Sequence, residues 1–468
     1  MVANLIKSQK SSREVIESIK LLVKNGKTNQ LKPILNNLLV ADLYSILNDL
    51  PNKLKSPVFL QLKPVLANKI FKLLDIETQK HLIKNTDPNQ VAKLLSELSP
   101  DDRTAFFAEL PPETLSKLIQ TLPIEERAEA LKLLGYPQDS VGRLMTPDYI
   151  AVKKELTVKQ VLSFIKQSGH NSETVNVIYV IDDKGVLIDD IRIREFLFAD
   201  SDQKVADLMD KRFIYLKVND DSEVAVRTFR QNNRFALPVI DEHNILVGMV
   251  TIDDVLRLAE KEETEDIQKF GAVEVLDEPY MRIPFFKLMK KRSGWLVILF
   301  LGEMLTATAM GFFENEISKA VVLSLFLPLI ISSGGNSGSQ ASTLIIRAMA
   351  LGEISLRDWW KIMRREIFSG LFLGTVLGAI GFLRVGAWTF FTDIYGPHWL
   401  LIAITIFFSL IGVVLWGTLM GSMLPLVLKR AGADPAASSA PFVATLVDVT
   451  GLIIYFTVAL IVMRGTLL

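Results

Sequence analysis

The chain has 468 residues, 49% of them hydrophobic, with 52 basic side chains balancing 52 acidic ones. That length exceeds one ordinary core, and a zero net charge gives no argument for a nucleic-acid partner. There is no cysteine and there are four scattered histidines, which excludes disulfides and thiolate metal sites and disfavours a histidine-built one.

Hydropathy is lopsided: Met1–Arg292 is rich in charge and Trp295–Leu468 is mostly apolar. The opening stretch, Met1–Val15, lacks the apolar core and cleavage site of a signal peptide, so the expectation is a cytosolic N-terminal part followed by membrane segments. Residues 1 to about 135 read as short helices. Leu74-Asp75-Ile76-Glu77, Thr86-Asp87-Pro88-Asn89, Leu98-Ser99-Pro100-Asp101, Leu110-Pro111-Pro112-Glu113 and Leu122-Pro123-Ile124-Glu125 recur in a twelve-residue register. Proline at the first helical position with acids in the first turn is a helix start. A fixed period of short helices predicts a small superhelix whose units bury their faces on neighbours. Most of the acids need only complement helix dipoles; the remainder are candidates to face cations.

Between residues 140 and 260 the pattern becomes β-α-β-β-α, written twice. The first copy runs Leu144-Met145-Thr146-Pro147, Tyr149–Val152, Val158–Lys166 and Val175–Ile181. The second runs Leu208-Met209-Asp210, Phe213–Val218, Glu223–Gln231 and Leu237–Asp241, closing with Leu246–Thr251 and a helix opening at Asp253-Asp254. The repeat resembles a tandem pair of CBS domains, most specifically over Leu237–Leu256. The first copy departs from the usual glycine-containing strand at Val186–Ile191. CBS pairs are regulatory modules for nucleotides or ions, and the fold alone names neither.

Residues 253 to 278 are strongly acidic, from Asp253 and Asp254 through Glu260, Glu262, Glu263, Glu265 and Asp266 to Asp277 and Glu278. Such a run suits hard divalent cations. It also suits a plain solvated helix face with Lys261 and Lys269 interspersed. The basic run Lys287, Lys290, Lys291, Arg292 then marks the cytosolic side of a membrane segment.

Five apolar segments follow, Trp295–Phe313, Ala320–Ala341, Ile367–Phe390, Trp399–Val427 and Pro441–Met463, each long enough for a core of ~30 Å. Positive charge concentrates before the first segment, between the second and third, and between the fourth and fifth. The N-terminus is therefore expected inside and the C-terminus outside. Ser332–Ser342 holds three glycines, five serines, Asn336 and Gln340, small residues that let helices pack closely and neutral oxygens that can line a path. Glu303 is an intramembrane carboxylate with no evident partner. Asp448 is another, and at helical spacing its neighbours are Pro441, Ala444, Thr445, Gly451 and Leu452. An ionised carboxylate at that depth costs roughly 2.5–3.5 kcal/mol on insertion scales, so its face reads either as a cation pathway or as a buried, paired acid.

Ser332–Ile354, Leu428–Phe456 and Glu262–Val275 together resemble the MgtE family of magnesium channels, in the same order and over nearly the whole chain. The resemblance implies a multidomain membrane protein. Its parts are an all-α superhelical N domain (residues 1–138), an α/β tandem CBS pair (139–200 and 201–262), a connecting plug helix (263–292) and a five-helix transmembrane domain (293–468). It implies a homodimer in the cell membrane, with the N and CBS domains cytoplasmic and a pore on the two-fold axis, lined by Asn336, Gln340, Ala444, Thr445 and Gly451. Asp448 matches the pore aspartate for hydrated Mg²⁺, Asp434 a cytosolic-side ligand, and Glu262, Glu265 and Asp266 the plug acids. Asp254 and Glu223 match CBS positions facing Mg²⁺, with Asp101 or Asp102 as the N-domain counterpart. ATP at the CBS pair is also implied. Asn233 and Arg257 stand where relatives can carry acids, and Arg257 is suited to replace an ion by pairing with a carboxylate. The function implied is Mg²⁺ uptake closed by cytosolic Mg²⁺. The other readings are a coupled carrier of divalent cations (Co²⁺ or Mn²⁺ included) and a membrane cation sensor without flux. No phosphate-cradling loop, nucleophile elbow or HExxH motif supports an enzyme.

Overall fold

The computed structural model describes residues 17–466 apart from 20, 24 and 26, and the side chain of Asn171 is left aside. Met1–Val15, read above as lacking a leader, lies outside the described residues. The chain divides into two compact units, one up to Ala259 and one from Glu260 onward.

The first unit begins with the helical domain. Its principal helices are α1 (Val40–Asp49), α2 (Asn52–Phe59), α3 (Pro64–Phe71), α4 (Ile76–Lys84), α5 (Pro88–Glu97), α6 (Pro100–Ala108), α7 (Pro112–Ile119) and α8 (Ile124–Leu134). From α4 to α8 each helix starts twelve residues after the last. Proline opens α5, α6 and α7, where its missing N–H costs nothing. Asp75 and Asp87 cap the first turns of α4 and α5 by accepting backbone N–H bonds of 2.8 and 2.9 Å. Helices pack on the neighbour two along: α1 on α3, α2 on α4, α3 on α5, α6 on α8. Phe59, Phe71, Phe106 and Phe107 run through the shared core, Phe71 meeting Phe106 edge to face at 5.3 Å.

The same unit continues into two three-stranded sheets. The first comprises β1 (Ala151–Lys153), β2 (Val177–Ile181) and β3 (Leu187–Arg192), with α9 (Val158–Ser168) and α10 (Ile193–Phe198). The second comprises β4 (Leu216–Lys217), β5 (Ala236–Ile240) and β6 (Leu246–Thr251), with α11 (Ser222–Asn232) and α12 (Ile252–Phe270). In both, a parallel pair is followed by an antiparallel pair. The sheets meet through Tyr179 and Met249, and Thr146 and Met249 exchange backbone hydrogen bonds of 2.9 and 2.8 Å. The departure in the first copy has a local explanation. Asp190 on β3 is buried against Arg234 at 2.9 Å, and Asp189 accepts the Lys211 N–H at 2.9 Å, where Lys211 takes φ +56°.

The expected connecting helix at 263–292 has different limits. No breaker interrupts Ile252–Phe270, so α12 runs straight out of the second CBS domain and stops before Gly271. Residues 271–284 are non-helical up to Pro284, and Phe285 already opens the next helix. The second unit contains α13 (Phe285–Phe312), α14 (Leu327–Ala350), α15 (Trp359–Trp388), α16 (Trp399–Arg430) and α17 (Ala440–Met463), the cores of five segments long and apolar enough to span a bilayer. Helices α14, α16 and α17 pack mutually, α15 on α16, and α13 on α17. Glycine sets the spacing. A Cβ at Gly421 would lie 2.0 Å from the Gly338 carbonyl, and one at Gly417 2.3 Å from that of Gly334. Gly370, Gly374 and Gly378 carry α15 onto α16 in the same way.

Candidate cation sites

Asp448 sits midway along α17, half-buried. A Cβ at Gly335 of α14 would lie 3.6 Å from its carboxylate, in ordinary van der Waals contact, so this side of Asp448 faces α14 at its glycine. No hydrogen-bond donor or basic side chain among the described residues reaches this acid. On α14, Ser332, Asn336 and Gln340 share one exposed face, Asn336 donating to Ser332 Oγ at 3.3 Å. Ala444 packs against Gly335, and Thr445 donates to the Pro441 carbonyl at 3.0 Å. Gly451, expected on the open face, is instead buried, because its missing Cβ admits Val413 of α16, which a methyl there would meet at 3.1 Å. Glu303 lies on α13, where with Thr445, Ser293 and Phe300 it borders a groove of about 570 Å³.

A second group forms where two helix starts meet inside the first unit. Pro100 opens α6 and places Asp101 and Asp102 in its first turn, where Ser99 Oγ donates to Asp102 at 2.8 Å. β6 ends at Thr251, whose hydroxyl donates to Asp253 at 2.7 Å and to Asp254. The carboxylates of Asp101, Asp102 and Asp254 come within 4.8 Å of one another. Two bases face them: Lys72 stands 3.2 Å from Asp102 and 3.8 Å from Asp253, and Arg257 bridges Asp254 to Asp102 at 3.4 Å. Burial drives the Asp101 carboxyl well above the usual range, and the charges of Asp254, Asp102 and Glu173 push it the same way. Burial lifts Asp254 too, against Thr251 and Arg257, whereas on Asp253 burial is outweighed by Thr251, Lys72 and Arg257. Asp101 Oδ1 is buried without a partner. Four acids against two bases, with one oxygen unanswered, fit a further hard cation.

The third group lies in the second unit. Lys269 Nζ, near the end of α12, bonds Asp434 at 2.9 Å and stands 3.5 Å from Glu265. Asp434 also caps the turn Pro435–Ala437, accepting the Ala436 N–H at 2.8 Å. The structure therefore gathers Asp101, Asp102 and Asp254 at one place and Glu265 and Asp434 at another. Glu223 joins neither: it is exposed in the first turn of α11. Lys72, Glu173 and the seat of Lys269 escaped the sequence reading. Only the four-residue step from Glu265 to Lys269 was visible there.

A family model described as divalent cation transporter matches residues 327–458, one described as MgtE intracellular N domain matches 21–139, and the CBS domain model matches 141–202 and 205–261. A magnesium transporter MgtE of Thermus thermophilus is 40% identical over 339 residues, 72% of this chain and 73% of its own length. The chain belongs to the MgtE family. A Bacillus subtilis MgtE magnesium transporter is 27% identical across 95% of this chain and 97% of its own. The crystal structure of the cytosolic domain of the Mg²⁺ channel MgtE in complex with ATP covers 52% of this chain and 99% of its own, with 31% identity and a TM-score of 0.50. This MgtE-family chain is thus a multi-pass membrane protein with an intracellular N domain and CBS pair.

Proposed function

We propose that this chain carries Mg²⁺ inward across the cell membrane, as a homodimer channel, along a path past Asp448. The observation that supports this most is an intramembrane carboxylate that no base among the described residues reaches, set against Gly335 of a helix that also carries an exposed stripe of serine, asparagine and glutamine. Mg²⁺ sheds water reluctantly, and paired carboxylates suit its hydrated form. The relatives' names, magnesium transporter MgtE, point the same way. The absence of Cys, His and Met from Pro441–Tyr455 disfavours softer metals.

Asp101, Asp102 and Asp254 would hold a regulatory Mg²⁺, which supplies the positive charge that their surplus of carboxylates lacks. When that charge is missing, Asp101, Asp102, Asp253 and Asp254 repel one another and the N domain loosens from the second CBS domain. When it is present, the two helix starts draw together. Closure requires tighter binding to the drawn-together state. The ATP named for the related cytosolic domain supports a nucleotide at the CBS pair of this chain. The test is Mg²⁺ influx into vesicles of purified protein. The reading requires influx at low internal Mg²⁺ and suppression at high; a folded protein with no influx at low internal Mg²⁺ contradicts it.

A further inference from the structure

The plug acid Glu265 and the cytosolic-side acid Asp434 were each expected to face a cation, and the structure seats the Lys269 side chain between them. Both oxygens of Asp434 are engaged: Oδ1 by the Ala436 N–H at 2.8 Å and Oδ2 by Lys269 at 2.9 Å. Lys269 Nζ also stands 3.5 Å from Glu265, one helical turn earlier. Unlike the cluster at Asp101, Asp434 has both oxygens engaged, one of them by a cation whose charge a metal ion would have to face.

The turn that Asp434 caps leads directly into α17, the helix of Asp448. The same turn is fastened to α14, whose Ser342 donates to the Ser438 carbonyl at 3.1 Å and Ser339 to that of Ala440 at 3.3 Å. The other end of the connection is also fixed, by Lys287 on Glu278 at 2.8 Å and Lys291 on Asp277 at 3.0 Å. Burial works against the Lys269 ammonium, but the bond to Asp434 and the charges of Asp434 and Glu265 outweigh it, so the side chain stays charged.

We infer that Lys269 is a positioning residue, a tethered cation that latches the end of α12 onto the turn feeding α17 and fills the place expected for a regulatory ion. It rests on the gate reading of the proposed function, and it makes this contact independent of Mg²⁺. A tethered ammonium meets its acceptor without a concentration cost, so Mg²⁺ has to compete with its charge at Asp434.

The test is hydrogen–deuterium exchange of the full chain in lipid discs, in EDTA and then in Mg²⁺, read at residues 262–276 and 434–440. It needs no flux, so its failure is separate from failure of the transport reading. Native protein should keep these segments protected in EDTA and gain little on adding Mg²⁺. Lys269→Gln should exchange roughly two- to fivefold faster there in EDTA, the scale of one partly exposed ion pair, and should recover in Mg²⁺. Lys269→Arg should behave as native, and Asp434→Asn should match Lys269→Gln without adding to it. Unchanged exchange at residues 327–350 certifies that each variant is folded. Native protein deprotected in EDTA, or Lys269→Gln exchanging at the native rate, overturns the inference.

Discussion

Asp448 in the membrane and the acids at the N domain–CBS junction differ in what answers their charge. Asp448 is met by a glycine, polar uncharged neighbours and no base. Asp101, Asp102, Asp253 and Asp254 are met by Lys72 and Arg257, yet Asp101 Oδ1 has nothing. The lesson is that counter-charge separates the roles. A carboxylate left bare at low dielectric needs a cation that comes and goes. One partly answered leaves room for a further charge, and one bonded on both oxygens, such as Asp434, is held in place.

The comparison breaks most completely if the membrane frame is disturbed. Gly421→Leu forces a side chain into the Gly338 carbonyl and should destabilise the second unit by about 3 kcal/mol or more, seen as loss of monodisperse protein in detergent. On the cytosolic side, Asp101 sharpens the contrast through pH. Its folded pKa is raised above the ordinary 3.8, so its neutral form is favoured in the closed arrangement. That contribution is full below 3.8 and is lost as pH rises through the raised value. A proton therefore stands in for part of the Mg²⁺ charge, and as pH falls through the raised value the Mg²⁺ needed for closure should fall. Asp101→Asn should abolish this slope when closure is followed by fluorescence between introduced cysteines in the cysteine-free chain. Glu173, Asp102, Asp254 and Arg257 face the same carboxyl and set its value, so they stay native in that experiment.

Removing the two bases should turn the partly answered cluster into a bare one. Lys72→Gln with Arg257→Gln should leave the N domain loose in EDTA and lower the Mg²⁺ needed for closure by roughly tenfold, two partly exposed pairs being worth up to ~1 kcal/mol each. The smallest effect is at Asp190, a buried acid with Arg234 on Oδ2 and no partner on Oδ1. Burial raises it to about 6 despite Arg234, so its stabilising neutral form is lost as pH rises from 3.8 through 6. Going from pH 5 to 7 should cost about 1 kcal/mol in thermal unfolding, a cost absent in Asp190→Asn.

The parts legible in the sequence were those written in local spacing. The twelve-residue register placed α4 to α8 because each start carries its own proline or cap. The five membrane segments followed from hydropathy, and the CBS pair from a repeated pattern. What the sequence hid depends on contacts far apart in the chain. Arg257 meets Asp102 across 155 residues and Lys269 meets Asp434 across 165, and no periodicity reports such pairs. Gly451 was misplaced because helical spacing gives a face but not which neighbour covers it; Val413 covers it. The first membrane helix begins at Phe285 rather than Trp295, since Lys287–Arg292 are good helix formers as well as topology marks.

The central claim is that the bare carboxylate of Asp448 serves the travelling ion. It is tested most directly by Mg²⁺ influx into vesicles at low internal Mg²⁺, native protein against Asp448→Asn, with both shown folded by their elution profiles. Influx reduced at least about a hundredfold in Asp448→Asn is the predicted result, the scale expected when the charge that meets the ion is lost. Influx at the native rate in Asp448→Asn would contradict the account and return Asp448 to a purely structural place in the bundle.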